Sequence, residues 1–270
     1  MGKIIAVWGS PSSGKSTFSI KLAKELASKK KNVIIVFADN NCPVIPTLIQ
    51  KENSKSLGNI LSAVNLTKSD ILKNLYTIEK ANNITITGYK EYENVYTYPK
   101  YDELRVDEFF NIIRFMADYI IIDTSSYFVT DLLSTKSLIL ADKVIRLITP
   151  SLKSMSYFNS SLPILDSTNF KKENHINVLS NFRYNEPIEE IKDIYLVKGE
   201  FPYMEGIREQ SLCTELFFKL KTKEENILSK HMKHLIDLLS DEDKINSKNK
   251  SSNKLSIFSK LKLKIDGASE

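Results

Sequence analysis

Apolar residues fall along this chain in short β-branched runs, each followed by a stretch of helical periodicity. The runs are KIIAVW (3–8), NVIIVFA (32–38), ITIT (84–87), YIIID (119–123), KVIRLIT (143–149) and INVLS (176–180). They are continuous rather than alternating, the pattern of strands covered on both faces in a parallel sheet. Helical patterns lie near 14–30, 103–117, 130–140, 154–166 and 186–194. The alternation predicts an α/β fold, a doubly wound and mostly parallel sheet with helices on both faces. Leu228, Met232, Leu235 and Leu239, spaced i, i+4, i+7, i+11, predict a one-faced closing helix over 223–240.

The stretch 40–83 breaks this rhythm, with short helical pieces expected around 56–64 and 68–75. Next, GYKEYENVYTYPKY (88–101) gathers Tyr89, Tyr92, Tyr96, Tyr98 and Tyr101. Such rings could stack on nucleic-acid bases. No arginine is interleaved among them, which favours a surface loop whose rings pack on the sheet edge. After Ser240 the composition turns to Asp, Asn, Ser and Lys. One domain is therefore expected over 1–240, followed by a flexible lysine-rich tail over 241–270. There is no internal repeat.

Hydrophobic residues at 42% against 26% charged give the balance of a soluble globular protein. No apolar run approaches the roughly 18 residues of a membrane span. The start of the chain carries no signal-peptide pattern, and MGKIIA lacks the Ser or Thr of a myristoylation signal. Two cysteines, Cys42 and Cys213, exclude a disulfide framework and fit a reducing, cytoplasmic compartment. The net charge of +5 is concentrated: residues 244–265 hold seven lysines and no acid, so the rest of the chain sums to −2.

The first strand runs into GSPSSGKS (9–16), a full G-x-x-x-x-G-K-[ST] phosphate-binding loop between a strand and a helix. Gly9, Ser10, Ser12, Ser13, Gly14 and Thr17 are the expected backbone cradle for the phosphates of ATP. Lys15 is the expected cation for the β- and γ-phosphates, and the Ser16 hydroxyl a ligand of Mg²⁺. Asp123 ends YIIID, where a strand-terminal carboxylate reaches the Mg²⁺ shell. Asp39 ends the second strand, and its alternative is an ordinary cap of the following turn.

Together the P-loop, Asp39, DYIIIDTSS (118–126) and LILADKVIRLITPSLKSMSYF (138–158) resemble the ParA/MinD branch of P-loop ATPases. The likeness runs from residue 3 to about 240, and its pattern is nearest to divergent TadZ/CpaE-like members. The resemblance implies ATP and Mg²⁺ as cofactors, slow hydrolysis, and a nucleotide-dependent homodimer. It implies that Asp39 orients the attacking water, that Asn181 reads adenine, and that FPY (201–203), with Pro202, lies beside the base. Asn181 is also a natural turn residue. One position departs: where the family carries a lysine that reaches across the dimer to the partner's phosphates, this chain has Ser10 followed by Pro11. A serine hydroxyl donates a neutral hydrogen bond and neutralises no charge.

Three functions compete. The leading one is a nucleotide switch that positions a cellular machine through an unidentified protein partner. A small-molecule or nucleotide kinase would use the same loop, but usually with an arginine-rich lid; Arg105, Arg114, Arg146, Arg183 and Arg208 are scattered. A DNA-binding partition ATPase needs a basic face. The net −2 outside the tail disfavours one, leaving Lys21, Lys24 and Lys29–Lys31 as the candidate patch. In the tail, KLSIFSKLKLKI (254–265) reads as an amphipathic anchor with Phe258, Leu261 and Ile265 on one face. It reads equally as a strand add-on or a disordered segment. An anchor would place the protein at the inner face of an anionic membrane, as the resemblance to MinD-type proteins suggests. His231 and His234 read as a solvated helix face rather than a zinc site, and Cys42 as a small packed thiol.

Overall fold

The computed structural model describes residues 1–49, 54–79, 81–98, 100–167 and 169–240. The proposed tail, 241–270, and its anchor at 254–265 lie outside the described residues. The first half of the chain runs β1 (Lys3–Gly9), α1 (Lys15–Ser28), β2 (Val33–Phe37), α2 (Ile45–Leu48), α3 (Leu57–Leu61), α4 (Lys68–Lys73), β3 (Tyr76–Thr77) and β4 (Ile84–Gly88). Then come α5 (Glu103–Ile113), β5 (Tyr119–Asp123), α6 (Leu132–Leu140), β6 (Lys143–Ile148) and α7 (Leu152–Ser161). The remainder is β7 (His175–Ser180), α8 (Ile188–Tyr195), β8 (Gly199–Phe201), α9 (Glu205–Leu212) and α10 (Thr222–Ser240).

Among the described residues the strands form one eight-stranded sheet in the order β3-β4-β2-β5-β1-β6-β7-β8. Every pairing is parallel except β3 with β4. All six predicted strands are present, and so is the doubly wound α/β fold class. Side chains alternate across each strand, so two cores form. Ile4, Ala6 and Trp8 of β1 face α5–α8, whereas Ile5 and Val7 face α1 and α10. Leu228, Met232, Leu235 and Leu239 are all buried in the second core, as the periodicity of α10 requires.

The departures have local causes. The expected helix over 154–166 begins at Leu152, capped by Ser151, and gives way to a 3₁₀ turn over Leu162–Asp166. Pro163 lacks the N–H that an α-helix would need there. The expected helix over 103–117 stops at Ile113. Four elements were not anticipated: α2, α9 and the short strands β3 and β8. Tyr89 is fully buried, with its ring 5.4 Å from that of Tyr98, and Tyr101 continues the stack. Tyr92 and Tyr96 point into solvent, so only part of the tyrosine-rich segment packs.

Two lysines of the candidate basic patch are tied into the fold, Lys21 buried and Lys24 half-buried. Lys21 is 1% exposed, and its Nζ donates to Gln210 Oε1 at 2.5 Å and Leu216 O at 2.7 Å. Lys24 donates to the carbonyl of Phe218. Desolvation pulls the Lys21 pKa down from 10.5 to about 7, Lys24 adds repulsion, and Glu225 opposes both. Between those values the unfolded lysine keeps its proton while the folded one sheds it, so stability should rise with pH across that window. Urea melts of wild type and Lys21→Met at stepped pH check this. The rise attributable to Lys21 should vanish in the variant, and equal slopes would refute the assignment.

Candidate nucleotide site

β1 delivers its C-terminal Gly9 to a loop at the carboxyl end of the sheet. A Cβ on Gly9 would lie 2.5 Å from Leu147 O and 2.7 Å from Ser13 Oγ, so no larger residue fits this close approach. Ser13 N donates to Ser10 O at 3.1 Å, and the loop closes through left-handed backbone at Ser12 (φ 62°) and Gly14 (φ 85°). Gly14 tolerates that conformation without strain. Helix α1 then begins at Lys15 with its N-terminal N–H groups and positive dipole end turned to the loop. Ser180 Oγ, at the end of β7, donates to Ser13 O at 2.8 Å and fixes the loop from the side.

The charged groups converge at the loop. Ser16 Oγ donates to Asp123 Oδ2 at 2.5 Å, and Lys15 Nζ donates to Ser126 Oγ at 2.6 Å. Asp123 is 1% exposed, and its Oδ1 is buried without a hydrogen-bond partner among the described residues. Burial pushes its carboxyl up to about 7, against the pull of Lys15 and the Ser16 hydrogen bond. Burial likewise lowers the Lys15 pKa, opposed by Asp123 and Asp39. An orphaned carboxylate oxygen beside a hydroxyl is a donor set that suits a hard divalent cation. Asp39 Oδ1 accepts from Asn41 N at 3.0 Å and Cys42 N at 3.2 Å, so the capping role weighed for it is present. Asp39 also lines the same cavity of about 420 Å³ as Ser12, Lys15, Ser16 and Asp123. Cys42 is exposed and lines that cavity too, rather than being packed.

A second cavity, of about 170 Å³, adjoins the first at Gly14 and Thr17. Asn181, Phe201, Pro202, Tyr203, Met204, Ile207, Arg208 and Ser211 complete its wall. Asn181 takes the turn role weighed for it and also borders this cavity. Its φ of 53° makes the turn after β7, its N–H reaches Phe201 O at 2.8 Å, and it lines the cavity.

Ser10 is 3% exposed, and its hydroxyl donates to Ser154 Oγ on α7 at 3.1 Å. Its side chain is thus engaged within the fold. Sequence reasoning missed Ser126, Ser154 and Ser180, and all of α9; the hydroxyl run in DTSS was the available signal for Ser126. Among the described residues no group of three or more His, Cys, Asp or Glu side chains is gathered to hold a metal, and His234 Nε2 pairs with Lys198 O at 2.9 Å.

A family model described as an AAA domain matches residues 2–178. No curated protein matches the chain. Among solved structures it is similar to the septum site-determining protein MinD complexed with Mg-ADP from Pyrococcus horikoshii, with 20% identity and a TM-score of 0.70, covering 91% of this chain and 100% of that one. A ParA family ATPase from Chlorobium tepidum gives 20% identity and a TM-score of 0.70, over 86% and 96% of the two chains. A putative plasmid partition protein from Borrelia burgdorferi bound to AMPPNP gives 17% identity and 0.66, over 88% and 100%. At such identities the likeness is one of fold. No helix among the described residues is long and apolar enough to cross a membrane.

Proposed function

This chain belongs to the AAA domain family, and from that footing we propose that it is a ParA/MinD-type P-loop ATPase working as a nucleotide switch. The observation that carries the reading is Asp123 Oδ1, buried and unpartnered beside Ser16 and Lys15 at the mouth of a phosphate-binding loop. In this reading the backbone of Gly9–Thr17 holds the phosphates, with Ser10 contributing through its main chain. Ser16 and Asp123 hold Mg²⁺, which when bound neutralises phosphate charge. Asp39 faces the same space and orients the water, while Asn181 and Pro202 border the base. The likeness to structures bound to Mg-ADP and AMPPNP supports that ligand class.

Among the described residues the phosphate-side cavity is lined by one cation, Lys15, and by no arginine. That lining suits slow turnover better than phosphoryl transfer by a kinase, for which ~1–100 s⁻¹ is usual. The domain proper is proposed as 1–240, with the lysine-rich tail acting as a weak anchor for anionic membrane that two copies would strengthen. Sedimentation of the full chain with Mg-ATP, Mg-ADP and a slowly hydrolysed analogue, with and without anionic vesicles, tests the switch. ATP and the analogue should raise both the association state and vesicle binding, and ADP should reverse both. Identical sedimentation in all three nucleotides would reject the switch. Binding that survives deletion of 244–270 would reject the anchor.

A further inference from the structure

The apolar strand KVIRLIT carries one arginine, and the fold buries it. Arg146 sits between Val144 and Ile148 on the sheet face covered by α7 and α8, and is only 9% exposed. In the sheet register it lies between Trp8 on β1 and Asn177 on β7. His175, also 9% exposed, lies two residues before Asn177, opposite Val144. The hydroxyl of Tyr195, whose ring is 5.9 Å from that of Phe158, belongs to the same core.

These side chains hold an unusual concentration of unpaired polar atoms. Arg146 Nε and Nη2, both ring nitrogens of His175, Trp8 Nε1, Asn177 Oδ1 and the Tyr195 hydroxyl are all buried without a hydrogen-bond partner among the described residues. No ion pair of Arg146 is found among those residues either. A buried guanidinium without an anion is costly, and buried charges in folded proteins are normally paired. Donors also outnumber acceptors here: three N–H groups of Arg146, one imidazole N–H and a phenol face two or three acceptor atoms. A neutral water would satisfy some of these bonds but leave the charge uncompensated. An anion accepts the same bonds and balances the charge.

We propose that Arg146, with His175 and Trp8 beside it, forms a buried binding site for a small monovalent anion of the halide class. Trp8, Phe158 and Tyr195 are buried in the same core, a setting shielded from bulk solvent that suits a small ion rather than a long, highly charged phosphate chain. Burial alone pulls the arginine pKa down to about 10, and burial together with Arg146 and Lys172 pulls that of His175 down to about 3, as expected where negative charge is wanting. The site is separate from the nucleotide cavities, whose linings contain neither Arg146 nor His175. It nevertheless touches Trp8, the residue before Gly9 of the phosphate loop.

The test is thermal unfolding of the full chain in chloride or bromide, with gluconate keeping ionic strength constant. A ligand that binds only the folded state raises the midpoint as its concentration passes the dissociation constant. A rise of about 2–4 °C corresponds to a roughly fivefold gain in the folded-to-unfolded ratio for a chain of this size. Wild type should show that halide-specific rise, and Arg146→Met should lose it. No rise in wild type, or an equal rise in the variant, would overturn the site. Should Arg146→Met fail to fold, crystals of wild type grown in bromide decide the matter by anomalous scattering. A bromide peak within hydrogen-bonding reach of the guanidinium supports the site, and only a water there refutes it.

Discussion

Lys15→Ala should abolish ATP binding, with a loss of about 10²–10³-fold or more. The direct part is the cation itself, since truncating one partner of a buried, hydrogen-bonded charge pair costs about 2–5 kcal/mol. The indirect part runs through Asp123. The charge of Lys15 is the largest influence holding the Asp123 carboxyl down against burial, which already places it at about 7. Without Lys15 that carboxyl moves higher and is more often protonated near neutrality, so the proposed Mg²⁺ position weakens together with the phosphate contact. The loop should keep its shape, because Ser13, Gly14 and Ser180 fix it through bonds that do not involve Lys15. Titration with a fluorescent ATP analogue, with circular dichroism to confirm folding, checks the prediction. Micromolar affinity retained by a folded Lys15→Ala would sink the nucleotide assignment.

What could be read in advance is what lies contiguous in the chain. Each of the six longer parallel strands holds a β-branched run, so burial on both faces writes itself into consecutive residues. The phosphate loop is likewise local: Gly9, Gly14, Lys15 and Ser16 define it by spacing alone. What resisted reading depends on contacts across the fold. Ser154 holds Ser10 from 144 residues away, and Ser126 meets Lys15 across 111. The strand β8 has three residues, too few to show a period, although its Phe201 packs edge-on against Phe18 of α1 at 5.3 Å. Lys21 reads as part of a basic stripe until α9 and the following loop close over it. Arg146 reads as one scattered arginine until the register sets it between Trp8 and Asn177. Polar residues of this kind carry meaning only through their surroundings, and a single sequence does not display those.

Asp39 gives the second large effect, and its two roles can be separated by two substitutions. Its Oδ1 accepts from the N–H groups of Asn41 and Cys42, and its charge faces the phosphate-side cavity. Asparagine keeps an oxygen that can accept those bonds but removes the charge, whereas alanine removes both. If Asp39 orients and polarises the attacking water, each variant should slow hydrolysis by about 10²–10⁴-fold, the usual range for a general acid–base group. Affinity for Mg-ATP should hold or improve in Asp39→Asn, because Asp39 raises the pKa of Asp123 and its removal eases ionisation of the metal-site carboxylate. If Asp39 serves only as a cap, the pattern changes. Asp39→Asn then turns over like wild type, and Asp39→Ala weakens binding and hydrolysis together as the loop over 39–42 loosens. Single-turnover hydrolysis measured beside the ATP dissociation constant separates the two outcomes. A normal rate in Asp39→Asn would remove Asp39 from the chemistry and leave it with the loop alone.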